Sequence, residues 1–349
     1  MRQYLAAYNI EAATETHRGL TMLHIHNGDS TAGTLREFGF PGEHKAFQEV
    51  LMEGPTPGGL SADEWLETRA RFLADDYEVN IEDCARNLRE QEAWLSKFSG
   101  HDETILWFEH DLFCQVNLIY LLDWLSKQSS GNTRLSLVCV SGFPGVQDFR
   151  GLGQLTGEQL ASLFDQRHEV TDSELKLAAR AWASYCSADP REIQRLIEDD
   201  TSVMPFLGRA LRLHLARFPS VKNGLGRVEN TALEMIATGA IGFKQLFPKF
   251  GTAQSGYGLG DSQFWAALKR LGEARDPLIR ITGPTSVVKA SRSNRYYDAS
   301  FELTGIGQAV LTGERDFIHL NGIDLWLGGV HLVDGAVWRW DERSGFTPP

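Results

Sequence analysis

At 349 residues, 42% of them hydrophobic and 23% charged, the chain is too long for one ordinary core and too apolar to stay disordered, so two or three folded domains are expected. A net charge of -12 argues against indiscriminate binding of nucleic acid or of an acidic membrane surface. Four scattered cysteines, Cys84, Cys114, Cys139 and Cys186, argue against a disulfide framework or a zinc ribbon.

The chain reads as cytoplasmic, with no membrane partner. The first residues lack the apolar centre of a signal peptide, and no stretch offers the roughly 18 uninterrupted apolar residues of a spanning helix. Residues 1–20 carry no structural signal. Met22 to Ser30 reads as a first buried strand carrying His24, His26 and Asn27 to a break at Gly28-Asp29-Ser30, where Asp29 or Ser30 is expected to cap a helix over 31–38. Free N–H groups at such a helix start favour an anion.

A second strand is expected over 47–52, stopped by Gly54-Pro55 with Glu53 at its carboxyl end. Two helices follow between Ser61 and Phe98. Thr104 to Phe108 reads as a third strand ending in Glu109-His110-Asp111, followed by an apolar helix over 116–125 with Gln115 about one turn in. Arg134 to Val140 is the fourth, ending at Ser141. Strands alternating with helices imply an open, mostly parallel, Rossmann-like α/β sheet over 1–156, whose ligands bind outside the carboxyl ends of the strands.

From 157 to 222 the pattern is helical and no strand interrupts it. From 223 to 349, three short helices and a two-stranded hairpin suggest a winged-helix-like α+β domain, closed by a C-terminal hairpin turning at Asp334-Gly335. Residues 224–310 hold ten Lys or Arg against seven Asp or Glu, and Lys289, Arg292 and Arg295 sit in an acid-free loop that could touch a phosphate backbone. Protein contact is the favoured use of such a domain, ahead of nucleic acid.

Three motifs in order carry a family likeness: His24-Ile-x-x-Gly28-Asp29-Ser30, Glu53-Gly54-Pro55, and Leu106-Trp107-Phe108 with Asp111, Gln115 and Leu118. Over about 22–145 the chain resembles a bacterial family known as domain of unknown function 1835. The resemblance implies a domain and supplies no activity; it also implies that His24 matters more than His26.

His24 and His26 lie two apart on one strand face and could share a metal with Asp29, Glu53 or Glu109, or could simply bond a neighbouring strand. Gly28-Asp29-Ser30 resembles the nucleophile block of Gly-Asp-Ser hydrolases, but Asp165-x-x-His168 and Asp316-x-x-His319 both fall outside the sheet domain. Glu53, Glu109 and Asp111 are the acid–base candidates, with capping of the next helix as the alternative role of Asp111. His24, Asn27, Gly28, Asp29, Ser30, His110, Gln115 and Ser141 are the ligand-binding candidates. The expected ligand is a small anion, a nucleotide or phosphorylated metabolite, handled by a hydrolase or transferase; the alternative is a ligand-sensing regulator. No dinucleotide or P-loop fingerprint occurs, so no cofactor is named.

Overall fold

The computed structural model describes residues 19–239, 242–283, 295–335 and 337–349. It divides the chain into two units, each assembled from separate segments: one takes the chain up to Leu51, Arg86–Trp182 and Thr201–Leu207, and the other Met52–Ala85, Ala183–Asp200 and Gly208–Pro349. The expected boundaries near 156 and 222 are not the dividing lines. The middle tract is shared out between the two units because its apolar residues belong to different cores.

The first unit is an α/β fold. Its strands β1 (Met22–Asn27), β2 (Glu43–Phe47), β4 (Glu103–Glu109), β5 (Arg134–Val140) and β6 (His168–Glu169) form one sheet in the order β2-β1-β4-β5-β6. The first four pair in parallel and β6 joins antiparallel. Two expectations are corrected. The second strand is 43–47 rather than 47–52: Glu43-His-Lys-Ala-Phe has little apolar character, yet it pairs with β1 along its length. Leu51 and Met52 are fully buried without being strand, and the Leu51 amide is satisfied by the Asn117 side chain at 3.4 Å. The helical tract is interrupted by β6, two exposed residues with no hydrophobic signal.

Helix α1 (Asp29–Phe38) and helix α5 (Gly157–Leu163) cover one face, where Leu35, Phe40, Ile105, Trp107, Leu160 and Phe164 share a core. On the other face lies α4 (Leu112–Ser126), buried on nearly every side, which is why its sequence shows no amphipathic stripe.

In the second unit, β3 (Gly54–Pro55) runs parallel to β9 (Asp324–Gly328), which pairs with β10 (Val330–Val333). This tail hairpin turns at Gly328-Gly329, not at Asp334-Gly335; the Asp334 carboxylate instead accepts from the Ile323 amide at 3.0 Å. A second hairpin joins β11 (Arg339–Asp341) to β12 (Gly345–Thr347). Helices α9 (Arg227–Ala237), α10 (Phe243–Ala253) and α11 (Asp261–Gly272) precede an antiparallel pair, β7 (Ile279–Thr282) and β8 (Ser300–Leu303). Gly242, between α9 and α10, makes a further antiparallel bridge to Ser300. Among the described residues no helix is long and apolar enough to cross a membrane.

One buried charge cluster pins the amino-terminal end of β4. Glu103, 1% exposed, accepts from Arg134 at 2.5 Å, Arg167 at 2.8 Å and Ser136 at 2.6 Å. Burial works to raise its pKa, but the bonds from Arg167, Arg134 and Ser136 outweigh it and hold the carboxyl at about 2. A depressed carboxyl stabilises the fold at pH values above the unfolded pKa, and that contribution is lost as pH falls through about 2. Glu103→Gln leaves two guanidinium groups unmatched and should cost about 3 kcal/mol in urea unfolding at pH 7. An unchanged unfolding midpoint would show that the cluster contributes nothing.

Candidate functional site

The two histidines of the first strand do not reach a pocket. His24 and His26 project from β1 into the core beneath α1, together with His44 from β2, and all three are buried. His24 accepts the Trp107 indole N–H at 3.1 Å on Nδ1 and donates from Nε2 to the Pro41 carbonyl at 3.1 Å, so both ring nitrogens are used in structure. Its ring stacks on His44 at a centroid separation of 4.5 Å. His26 meets His44 Nδ1 at 3.0 Å through Nε2. The three histidines are not among the groups of ligand atoms close enough to share a metal ion. Burial, then the proximity of His44, lowers the His24 pKa to about 3, and burial lowers His26 well below its ordinary value.

The polar groups that do converge sit where β1 and β4 end. Asn27 lies on the opposite face of β1 and donates from Nδ2 to Cys114 Sγ at 2.9 Å. Its orientation is fixed from behind: Asn117, fully buried in α4, donates to Asn27 Oδ1 at 2.7 Å and to the Glu49 carbonyl at 2.8 Å. Asp111 caps α4, accepting from the Cys114 amide at 2.9 Å, as one of the two expected roles required. Gln115 Nε2 donates to the Glu109 carbonyl at 2.7 Å.

Glu109 is only partly exposed. Its Oε1 accepts from the Leu152 amide at 2.5 Å, and its Oε2 lies 3.8 Å from Cys114 Sγ. The backbone at Gly151 passes so close that a Cβ there would lie 2.4 Å from Oε2. Among the described residues, one ligand atom each from Glu109, Asp111 and Cys114 falls within 4.8 Å of the others. Burial, followed by the neighbouring Asp111, pushes the Glu109 carboxyl up to about 8; burial also raises Asp111, and lifts the Cys114 thiol well above its ordinary value.

Beside this group α1 begins. Gly28, at φ 96°, occupies the cap position that Asp29 or Ser30 was expected to fill, and no side chain caps the helix. Asp29 is instead the first helical residue and accepts from Gln48 Nε2. Ser30 is exposed and faces Gly153, where a Cβ would lie 3.0 Å from its Oγ. The 151–153 turn therefore runs from Glu109 to Ser30. Ser141 is exposed just beyond β5, and the His110 ring lies near Phe149 and Phe206 with Nδ1 unpartnered.

Glu53 is corrected. Because 47–52 is not a strand, Glu53 is not at the carboxyl end of a strand of that sheet; it belongs to the second unit, where its Oε1 accepts from Arg217 at 2.6 Å. There it lines a cavity of about 340 Å³ with Phe72, Asp76, Arg270 and Trp326. Burial raises its pKa against the pull of Arg217. Of the two Asp-x-x-His pairs, His168 bonds Glu174 at 2.7 Å, while Asp316 caps the helix after it and pairs with Arg339 at 2.6 Å. The sequence reading gave no site role to Cys114, Asn117 or the 151–153 turn. A lone asparagine within an otherwise apolar helix was the available signal.

No protein-family model matches the chain, and no curated protein matches it.

Buried neutral histidines make a pH prediction. An unfolded histidine takes up its proton near 6.5, whereas His24 and His26 stay neutral in the fold, so stability falls as pH drops below 6.5. Each contributes a slope of up to about 1.4 kcal/mol per pH unit. Urea unfolding between pH 6.5 and 5 should lose about one proton's worth of slope in His26→Leu; an unaltered slope would place His26 outside this effect.

Proposed function

We propose that the first unit binds a small anionic ligand, a nucleotide or phosphorylated metabolite, at the carboxyl ends of β1 and β4, and carries out hydrolytic or group-transfer chemistry on it. The observation that carries this reading is the meeting of Glu109, Asp111 and Cys114 beside a helix that starts on Gly28 without a side-chain cap. The first amides of α1 offer donors and a positive helix end to an anion, and the acidic group faces the reacting side. Residues 22–145 are read with it as a domain of the family they resemble.

Ser30→Asp tests the anion directly. The side chain is exposed and an acidic residue suits a first helical turn, so the fold should be kept, while the new carboxylate occupies the anion's place. Inorganic phosphate or ADP should raise the thermal midpoint of the wild-type protein, and Ser30→Asp should weaken binding at least tenfold, about 1.4 kcal/mol. Native mass spectrometry of gently purified protein should show a mass excess that Ser30→Asp loses. Binding that is absent in the wild type, or equal in both proteins, would sink the proposal.

A second reading concerns 227–303. Three helices, a hairpin and the Gly242–Ser300 bridge between them favour a winged helix. Its third helix, α11, is already engaged: Gln263 donates to the Tyr77 hydroxyl at 3.0 Å, Lys269 pairs with Glu78 at 3.5 Å and Arg270 with Glu229 at 2.9 Å. Lys289, Arg292 and the Arg295 side chain lie outside the described residues. A helix so occupied suits a protein-contact module in a ligand-sensing adaptor better than base reading. Short duplex DNA should therefore give no salt-sensitive complex; one that disappears when Lys289, Arg292 and Arg295 are all changed to Ala would reverse this reading.

A further inference from the structure

The Glu109 and Asp111 carboxyl groups meet with no Arg or Lys beside them. Three other carboxylates of the described residues pair with a cation: Glu103 with Arg134 and Arg167, Asp123 with Lys127, Glu53 with Arg217. Glu109 Oε1 and the Asp111 carboxylate each accept one backbone amide, from Leu152 and Cys114, and Glu109 Oε2 lies 3.8 Å from Cys114 Sγ. Asp111 is 2% exposed and Glu109 is partly buried, so the pair cannot carry two negative charges there without a cation.

The spacing fits an ion between them. With Zn–S near 2.3 Å and Zn–O near 2.1 Å at a tetrahedral angle, the sulfur and oxygen would be separated by about 3.6 Å; Glu109 Oε2 and Cys114 Sγ are 3.8 Å apart. A second shell is also in place. Asn27 Nδ2 points at the sulfur as a donor, and Asn117 prevents the amide from turning round, because its own orientation is set by the Leu51 amide and the Glu49 carbonyl. A fixed N–H donor suits a thiolate that accepts.

We propose that Glu109, Asp111 and Cys114 bind a divalent transition metal of the zinc class, with a fourth position open toward the ligand site. One sulfur and two carboxylate oxygens favour zinc over magnesium or calcium, which take oxygen alone, and three protein ligands with one open position are the pattern of a catalytic zinc. Binding displaces the thiol proton to solvent, and the ion takes its place. This deepens the anionic-ligand reading and rests on it: the cation is what lets an anion approach an acidic floor.

The test uses the full chain after dialysis against a chelator. Titration with zinc alone should show one ion bound per chain, and cobalt in its place should give a thiolate-to-cobalt charge-transfer band in the near ultraviolet. Cys114→Ser should abolish the band and the tight binding with its circular dichroism unchanged, and Glu109→Gln provides the same test should the serine variant fail to fold. Asn27→Ala should weaken zinc roughly 10- to 100-fold while the band persists. Ser30→Asp should keep zinc and lose phosphate, which separates the two claims. Phosphate binding without any zinc binding overturns the metal site alone, and zinc binding with no phosphate or ADP response overturns the anion reading alone. Zinc held equally by Cys114→Ser and Glu109→Gln overturns the assignment of its ligands.

Discussion

A strand covered on both faces can show its polar chemistry only at its ends, and the first unit depends on that constraint. From Glu103 to Phe108, β4 is buried residue after residue, flanked by β1 and β5 and lying between the α1/α5 core and α4. Any carboxylate within such a strand must be matched by charge, as Glu103 is at the entry. Past Phe108 the enclosure loosens, and Glu109, His110 and Asp111 follow in succession. Parallel pairing sends β1 and β5 to the same end, so Asn27, Gly28 and Ser141 arrive there without any local sequence signal bringing them together.

The three buried histidines show the same constraint from the other side. A core position with polar atoms has to find partners inside, and His24 does so with the Trp107 indole and the Pro41 carbonyl. That use explains why an apolar strand carries His-x-His without leading to a metal. Gly42 passes so close that a Cβ there would lie 2.7 Å from the His24 ring, so the turn before β2 is shaped around the same side chain.

What could be read in the sequence follows from how each element is held. The strands at 103–109 and 134–140 announce themselves because burial on both faces demands continuous apolar runs, and Asp111 and Gln115 were legible as the start of a helix. β2 was not, since Glu43-His-Lys-Ala-Phe owes its strand state to pairing with β1 and to the histidine cluster, neither of which is local. With the second strand at 43–47, Glu53 is no longer at the end of a strand of that sheet and belongs to the second unit. Cys114 and Asn117 escaped notice for a related reason: their significance lies in contacts with Asn27 across about ninety residues of chain.

Net charge sharpens what kind of binding the first unit can support. A protein at -12 repels small anions at long range, and the floor formed by Glu109 and Asp111 repels them at short range. Attraction must therefore be local and directional. In the proposed site the α1 amides would supply part of it, because Gly28 frees the helix start from a competing side chain and Asp29 turns its carboxylate toward Gln48. Those amides alone would leave an anion beside two carboxyl groups, whereas a cation held by Glu109, Asp111 and Cys114 would convert the repulsive floor into the attractive one. Specificity in such an arrangement would come from the 151–153 turn, whose Leu152 amide bonds Glu109 and where a Cβ on Gly153 would lie 3.0 Å from Ser30 Oγ.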